Sequence, residues 1–262
     1  MTTNTSHTPK DSLVPFFIIT YAITWGIGAV AIFLPEQFRA LFGELSDQHP
    51  LYYVAVAAPT ISATILSLAR EGWSGLGALY SRLIRWRFGI RWYLLALVGI
   101  PALGWLASQV TGPKPLKDIS TPALLLTLLI NLLITGPLGE ELGWRGFALP
   151  HLLKKFNPFA ASLILGIIWG VWHLPAFYVS SMVQSSLSLP IFLLSALCLS
   201  FLATWLVVKS AGSVLIAVIL HYTTNFSVSV LGANPLVFAA LLLALVILAL
   251  ALDKEMNWFK KH

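Results

Sequence analysis

The sequence predicts an all-α membrane protein: a polytopic bundle of about eight transmembrane helices, with both termini cytosolic. Two observations set the class. Of 262 residues, 58% are hydrophobic and only 10% charged, where a soluble domain carries about a quarter charged residues. Apolar runs close to 20 residues long also recur along the whole chain. A third observation, the placement of Lys and Arg, sets the orientation.

A hydrocarbon core about 30 Å thick needs roughly 20 apolar residues per helix. Eight segments qualify or come close: 14–34, 51–69, 92–110, 121–139, 159–179, 190–208, 213–232 and 236–252. The last two are parted only by Ala233-Asn234-Pro235, a tight turn. There is no internal repeat and no polar stretch long enough for a second domain. Residues 1–262 therefore read as one transmembrane helical domain, with a motif-bearing core at 121–232. The opening MTTNTSHTPKDS lacks a charged n-region and a small-residue cleavage site, so no removable signal peptide is expected. The single cysteine, Cys198, lies in the 190–208 run, which excludes a disulfide framework within the chain and a cysteine-rich metal site.

Orientation follows from the excess of Lys and Arg on cytosolic loops. With the N-terminus inside, the inner segments hold Lys10, the arginines of 70–91, Arg145, Lys154, Lys155, Lys209, Lys254, Lys260 and Lys261. The outer loops hold only Arg39, Lys114 and Lys117 of the 16 basic residues. The net charge of +6 thus reflects topology, and no nucleic-acid partner is needed to explain it. The segment 72–92 carries Leu76, Leu79, Leu83 and Trp86 at helical spacing with Arg82 and Arg85 between them. It reads as an interfacial helix on anionic lipid headgroups. Trp92, Trp258 and Tyr178 read as interface anchors.

Polar residues inside predicted spans are expensive in lipid and so are functional candidates. Three clusters stand out: Glu140, Glu141 and Arg145 in LGEELGWRG; His173 in WGVWH; and His221 with Asn225 in HYTTN. At about 100° per residue, Gly136, Gly139, Gly143 and Gly146 form one stripe on the fourth span, a face that lets helices pack closely. Glu140 sits at the edge of that stripe. Glu141 and Arg145, spaced i,i+4 as an ion pair prefers, lie further round at the end of the helix. Ser162, Gly166, Gly170 and His173 share a face of the fifth span, with Trp169 one turn before the histidine. Ser213, Ala217, His221 and Asn225 share one of the seventh. The three faces are expected to converge on one site. Glu140 and His173 are each about 16 residues from the Asn157-Pro158 turn, so in an antiparallel hairpin they sit level. The site is placed in the cytosolic half. Gln109, Asn131 and Gln184 read as satisfied polar groups outside it.

A glutamate withdrawn from water beside a second carboxylate is a stronger proton acceptor than a solvated one, as a general base must be. A histidine opposite it can share a water and pass a proton. A second histidine with an asparagine amide at i,i+4 offers two donors to an oxyanion. Together they suit the activation of water against a carbonyl. No GxSxG or HExxH occurs in any span.

EELGWR (Glu140–Arg145), WGVWH (Trp169–His173) and HYTTN (His221–Asn225) resemble, in order, the EExxxR, FxxxH and HxxxN/B motifs. These mark the type II CAAX prenyl endopeptidases and bacteriocin-processing proteins, intramembrane proteases also called the ABI family. The resemblance spans about 90 residues, and the basic segment before the third span also fits it. Trp169 stands where phenylalanine is commoner. The resemblance implies cleavage of a peptide bond near the membrane surface, with Glu140 and His173 activating water and His221 and Asn225 stabilising the oxyanion. Glu141 and Arg145 would support the helix. The substrate would be a membrane-associated peptide or protein, and the place the plasma membrane of a bacterium. The resemblance commits to no cofactor and leaves zinc open, since Glu140, His173 and His221 would supply the His₂Glu set of a catalytic zinc. Two other classes stay open: a proton-coupled transporter or proton relay, and an immunity protein that sequesters a peptide without cleaving it. The lack of repeats and of paired broken helices weighs against the transporter.

Overall fold

The computed structural model describes residues 13–114 and 120–260, all helical or connecting, with no strand among them. The opening segment and Lys10, Lys117 and Lys261 lie outside the described residues.

The chain runs up and down as α1 (Val14–Phe33), the short α2 (Pro35–Phe42), α3 (Pro50–Ser81), α4 (Ile90–Gln109), α5 (Pro122–Leu153), α6 (Pro158–Trp172), α7 (Leu189–Lys209), α8 (Val214–Ser229) and α9 (Pro235–Leu252). Seven of these are long and apolar enough to cross a membrane, and α8 is a shorter apolar helix between them. The starts are written in the sequence. Proline stands at the first or second helical position of α3, α5, α6 and α9, where its missing N–H costs no bond. Thr121, Asn157 and Asn234 accept first-turn N–H groups as N-caps.

The surface is inverted relative to a soluble protein. Ile18, Leu97, Val98, Leu126, Ile167 and Leu248 are each more than half exposed, while Thr20, Ser62, Ser162, Ser200 and Thr204 are fully buried. Such apolar exposure would drive aggregation in water; in lipid it costs nothing. Small residues let the helices close in: a Cβ built on Gly143 would stand 2.3 Å from the Pro59 carbonyl carbon, and one on Gly104 2.3 Å from Ser227 Cβ.

Several elements depart from the sequence reading. The interfacial helix does not run through 72–92. Gly72, at φ +65°, kinks α3 at the membrane-grade end of the helix. The amphipathic turns then end in a 3₁₀ turn, Arg82–Ile84, with Arg85 extended. Trp92 already belongs to α4, where it is buried against Trp205, and Trp258 is buried against Phe201, so neither is a lipid-interface anchor. The fourth span does not stop at 139: α5 continues to Leu153, which puts the glutamates inside the helix and not at its end. Arg145 is 0% exposed, so it casts no vote as an inner-loop residue. The fifth span ends its regular helix at Trp172, with His173 as C-cap and a 3₁₀ turn over Leu174–Tyr178.

Candidate active site

Two widened π segments in α5, Ile134–Leu138 and Leu142–Ala148, flank the single α turn Gly139–Glu141. Pro137 lies in the first, where it has no N–H to give to the preceding turn. Such bulges are frequent at functional sites because they re-aim side chains. Glu140 and Glu141, adjacent in sequence and both buried, are sent to different helices.

Glu140 faces α6. Its Oε2 accepts the indole N–H of Trp169 at 2.6 Å. The same tryptophan gathers most of the site. Its ring face carries the Arg145 guanidinium, 4.7 Å from the ring centroid. Its backbone carbonyl lies 2.8 Å from Nδ1 of His173, and its edge contacts the rings of His173 and His221. The C-terminal end of α6 is latched by α1: Trp172 donates to Thr24 Oγ1, and Trp25 donates to the Trp172 carbonyl. His173 is thereby fixed in place from both sides.

Glu141 faces α8. Its Oε1 accepts from Arg145 at 3.0 Å and lies 2.8 Å from His221 Nδ1. The i,i+4 ion pair expected from the sequence is present; the histidine as a second partner was not foreseen. Arg145 Nε and Nη2 and Glu141 Oε2 have no hydrogen-bond partner among the described residues. With Nδ1 held by Glu141, His221 presents Nε2. A Cβ built on Gly136 would stand 3.4 Å from that atom and 3.2 Å from Asn225 Nδ2. The bare glycine thus leaves open the space onto which the two nitrogens converge.

The glycine stripe serves three partners. Gly139 and Gly143 face Ala57 and Pro59 of α3, Gly146 faces Leu79 and Val214, and Gly136 faces the His221–Asn225 pair. The three motif clusters do meet around one cavity, lined by Glu140, Trp169, His173, His221 and Asn225. Asn131 and Gln184, set aside from the sequence, line it too. Gln109 bonds Ser108 and the Trp105 carbonyl, away from it.

Glu140, His173 and His221 each have one polar atom engaged, by Trp169 N–H, Trp169 C=O and Glu141, and one left over. Among the described residues, no three His, Cys, Asp or Glu side chains stand close enough to hold one metal ion. The His₂Glu set offered by the sequence is not gathered among the described residues.

Residues 122–227, inside the 121–232 core, match the family described as Rce1-like, type II CAAX prenyl endopeptidase. Over 177 residues the chain is 29% identical to CAAX prenyl protease 2 of Methanococcus maripaludis. That alignment takes in 64% of this chain and 63% of the relative's length. The three motifs, read along the chain as a resemblance, all fall within the matched segment. Residues 122–227 are thus similar to the Rce1-like family of type II CAAX prenyl endopeptidases, and the chain spans less than two thirds of the length of the relative it matches.

Proposed function

We propose that this chain is an intramembrane endopeptidase in which Glu140 is the general base. The observation that carries the reading is a buried carboxylate, oriented by an indole N–H, at a cavity wall shared with His173 and the His221–Asn225 pair. The likeness to a protein named CAAX prenyl protease 2 supports peptide-bond hydrolysis as the reaction. Glu140 takes a proton from a water held between it and His173, and the water oxygen bonds to the scissile carbonyl carbon. The carbonyl electrons move onto its oxygen, which points into the space over Gly136. There Asn225 Nδ2–H and His221 Nε2–H donate to the oxyanion. The C–N bond then breaks, and the proton held by Glu140, passed through His173, leaves on the amine.

The Glu141 carboxylate, 2.8 Å from His221 Nδ1, fixes the ring with Nε2 turned toward the space over Gly136. Glu141 and Arg145 are therefore positioning residues: the first holds His221, the second holds Glu141 and stacks on Trp169. Trp169 is a positioning residue for Glu140.

The test is reconstitution of the purified chain in proteoliposomes with a peptide library. Peptide cleavage supports the reading. Proton-coupled flux without cleavage would replace it with the transport class, and tight peptide binding without cleavage with the sequestering one.

A further inference from the structure

The connections 70–91, 154–157, 209–213 and 253–260 gather at one end of the bundle. Arg85 donates to the Ala211 carbonyl there, Lys209 pairs with Asp253, and the Phe159 N–H reaches the Trp258 carbonyl. This end carries the arginines of 70–91 together with Lys154, Lys155, Lys209, Lys254 and Lys260. It also holds a second concavity, which shares no residue with the cavity described above.

α4 and α9 meet at the far end of the bundle, where the Asn234 N–H reaches the Ala107 carbonyl. At the basic end a groove of about 520 Å³ opens between them, with Trp205 and Lys209 of α7 lining it as well. The groove has two chemically distinct parts. One wall is apolar: it runs from Leu245 through Leu248 to Leu252, about 10 Å along α9. Leu248 and Leu252 are more than half exposed, so this wall is open to the surrounding lipid. The mouth is charged, with Arg91, Lys209 and Lys254 set against Asp253 and Glu255.

Both carboxylates at the mouth are taken by one cation. Lys209 Nζ lies 2.8 Å from Asp253 and 3.1 Å from Glu255, and the Trp205 indole N–H donates to Asp253 at 2.7 Å. Arg91 lies over the face of Trp92, 4.6 Å from the ring centroid. Trp92 in turn packs edge-on against Trp205, with 5.2 Å between centroids, so the guanidinium rides on a buried platform. Neither Arg91 nor Lys254 has a carboxylate partner among the described residues. The mouth therefore keeps two cations whose charge nothing in the chain neutralises.

We propose that this groove holds one anionic glycerophospholipid, with its phosphate between Arg91 and Lys254 and an acyl chain along Leu245–Leu252. Basic pockets between membrane helices suit such headgroups, and the apolar wall below the mouth suits the chain. A soluble anion would use the mouth and leave the wall without a role. A zwitterionic lipid would bring an ammonium group that needs a carboxylate, and both carboxylates are already held by Lys209. The site is also narrower than a general attraction of 72–92 to anionic headgroups, since it takes only Arg91 and Trp92 from that segment.

The experiment is native mass spectrometry of the purified full chain, titrated with phosphatidylglycerol and with phosphatidylcholine of matched acyl chains. Glycerol 3-phosphate serves as a probe of the headgroup alone. The parent chain should bind one phosphatidylglycerol more tightly than phosphatidylcholine. One basic residue near an anionic headgroup contributes about fivefold in affinity, so Arg91→Gln and Lys254→Gln should each weaken the adduct about fivefold. The double variant should weaken it about 25-fold, and the single variants carry the test if the double one does not fold. Arg87→Gln with Lys155→Gln removes the same charge from the same end outside the groove and should leave binding unchanged. Melting temperatures in lipid-free detergent should stay near the parental value throughout. Equal affinity of the parent for the two lipids overturns the proposal, as does parental binding of phosphatidylglycerol by folded Arg91→Gln and Lys254→Gln. An equal loss in the Arg87→Gln, Lys155→Gln control would show a diffuse basic surface in place of a site, and glycerol 3-phosphate binding as tightly as the lipid would remove the acyl-chain wall; either overturns it too.

Discussion

Trp169→Phe isolates a single atom of the site. Phenylalanine keeps an aromatic face under Arg145, 4.7 Å from the present ring, and keeps the backbone carbonyl that holds His173. What it removes is the N–H that meets Glu140 Oε2 at 2.6 Å inside the bundle. A hydrogen bond to a charged group contributes about 1.5–3 kcal/mol, and a buried acceptor left without its donor forfeits that amount in full. If the bond fixes the carboxylate for attack on water, the same energy is lost from the transition state. At about 1.4 kcal/mol per decade it converts to a fall in kcat of roughly 10- to 100-fold, with KM little changed. Purified variants in detergent, followed by peptide cleavage and by melting temperature, read both quantities. A Trp169→Phe enzyme with parental kcat and melting temperature would refute the orienting role. A fall in kcat that Trp169→His, which restores a ring N–H, does not partly recover would also count against it.

Other expectations follow from the same geometry. Asn225→Ala should lower turnover by about 10²–10³, the usual cost of one oxyanion donor, with substrate binding nearly unchanged; equal losses in both would indicate a packing role. Gly136→Ala should give a folded, inactive protein, because its methyl would occupy the space between His221 Nε2 and Asn225 Nδ2; normal cleavage by it would remove the oxyanion assignment. Gly143→Ala should instead fail on stability, by about 1–3 kcal/mol or more, since its Cβ would press 2.3 Å from the Pro59 backbone; an unchanged melting temperature would contradict the α3–α5 packing. Arg145→Ala leaves Glu141 buried with only His221 and should cost about 3–5 kcal/mol, measured by thermal unfolding, where a near-parental melting point would show the pair to be dispensable.

Much of this was legible in one dimension, and the failures have physical causes. The divergence of Glu140 from Glu141, and the pairing of Glu141 with Arg145, follow from helical geometry within a few residues. The pairing of Glu141 with His221 does not, because it needs the side-by-side placement of α5 and α8, 80 residues apart in the chain. Trp169 was read as an ordinary aromatic because its indole N–H acquires meaning only from a carboxylate on another helix. The clue was present, though: it replaces a commoner phenylalanine that has no donor. The π widening around the glutamates follows from packing and was not read from the sequence. The fourth span was cut at Gly139, where the polar residues begin, so the glutamates were read at a helix end and not inside it. The helix runs on because each of these side chains finds a partner inside the bundle: Glu140 meets the Trp169 N–H, and Glu141 meets Arg145 and His221.

The central claim is that Glu140 is the base and Glu141 its structural neighbour, and one substitution addresses it most directly. Glu140→Gln preserves shape and volume but removes the proton acceptor. In proteoliposomes, with a peptide whose cleavage by the parent chain has been established by mass spectrometry, Glu140→Gln should leave the peptide intact while its melting temperature stays near the parental value. Parental cleavage by Glu140→Gln, with Glu141→Gln folded and inactive, would contradict the account and exchange the roles of the two carboxylates.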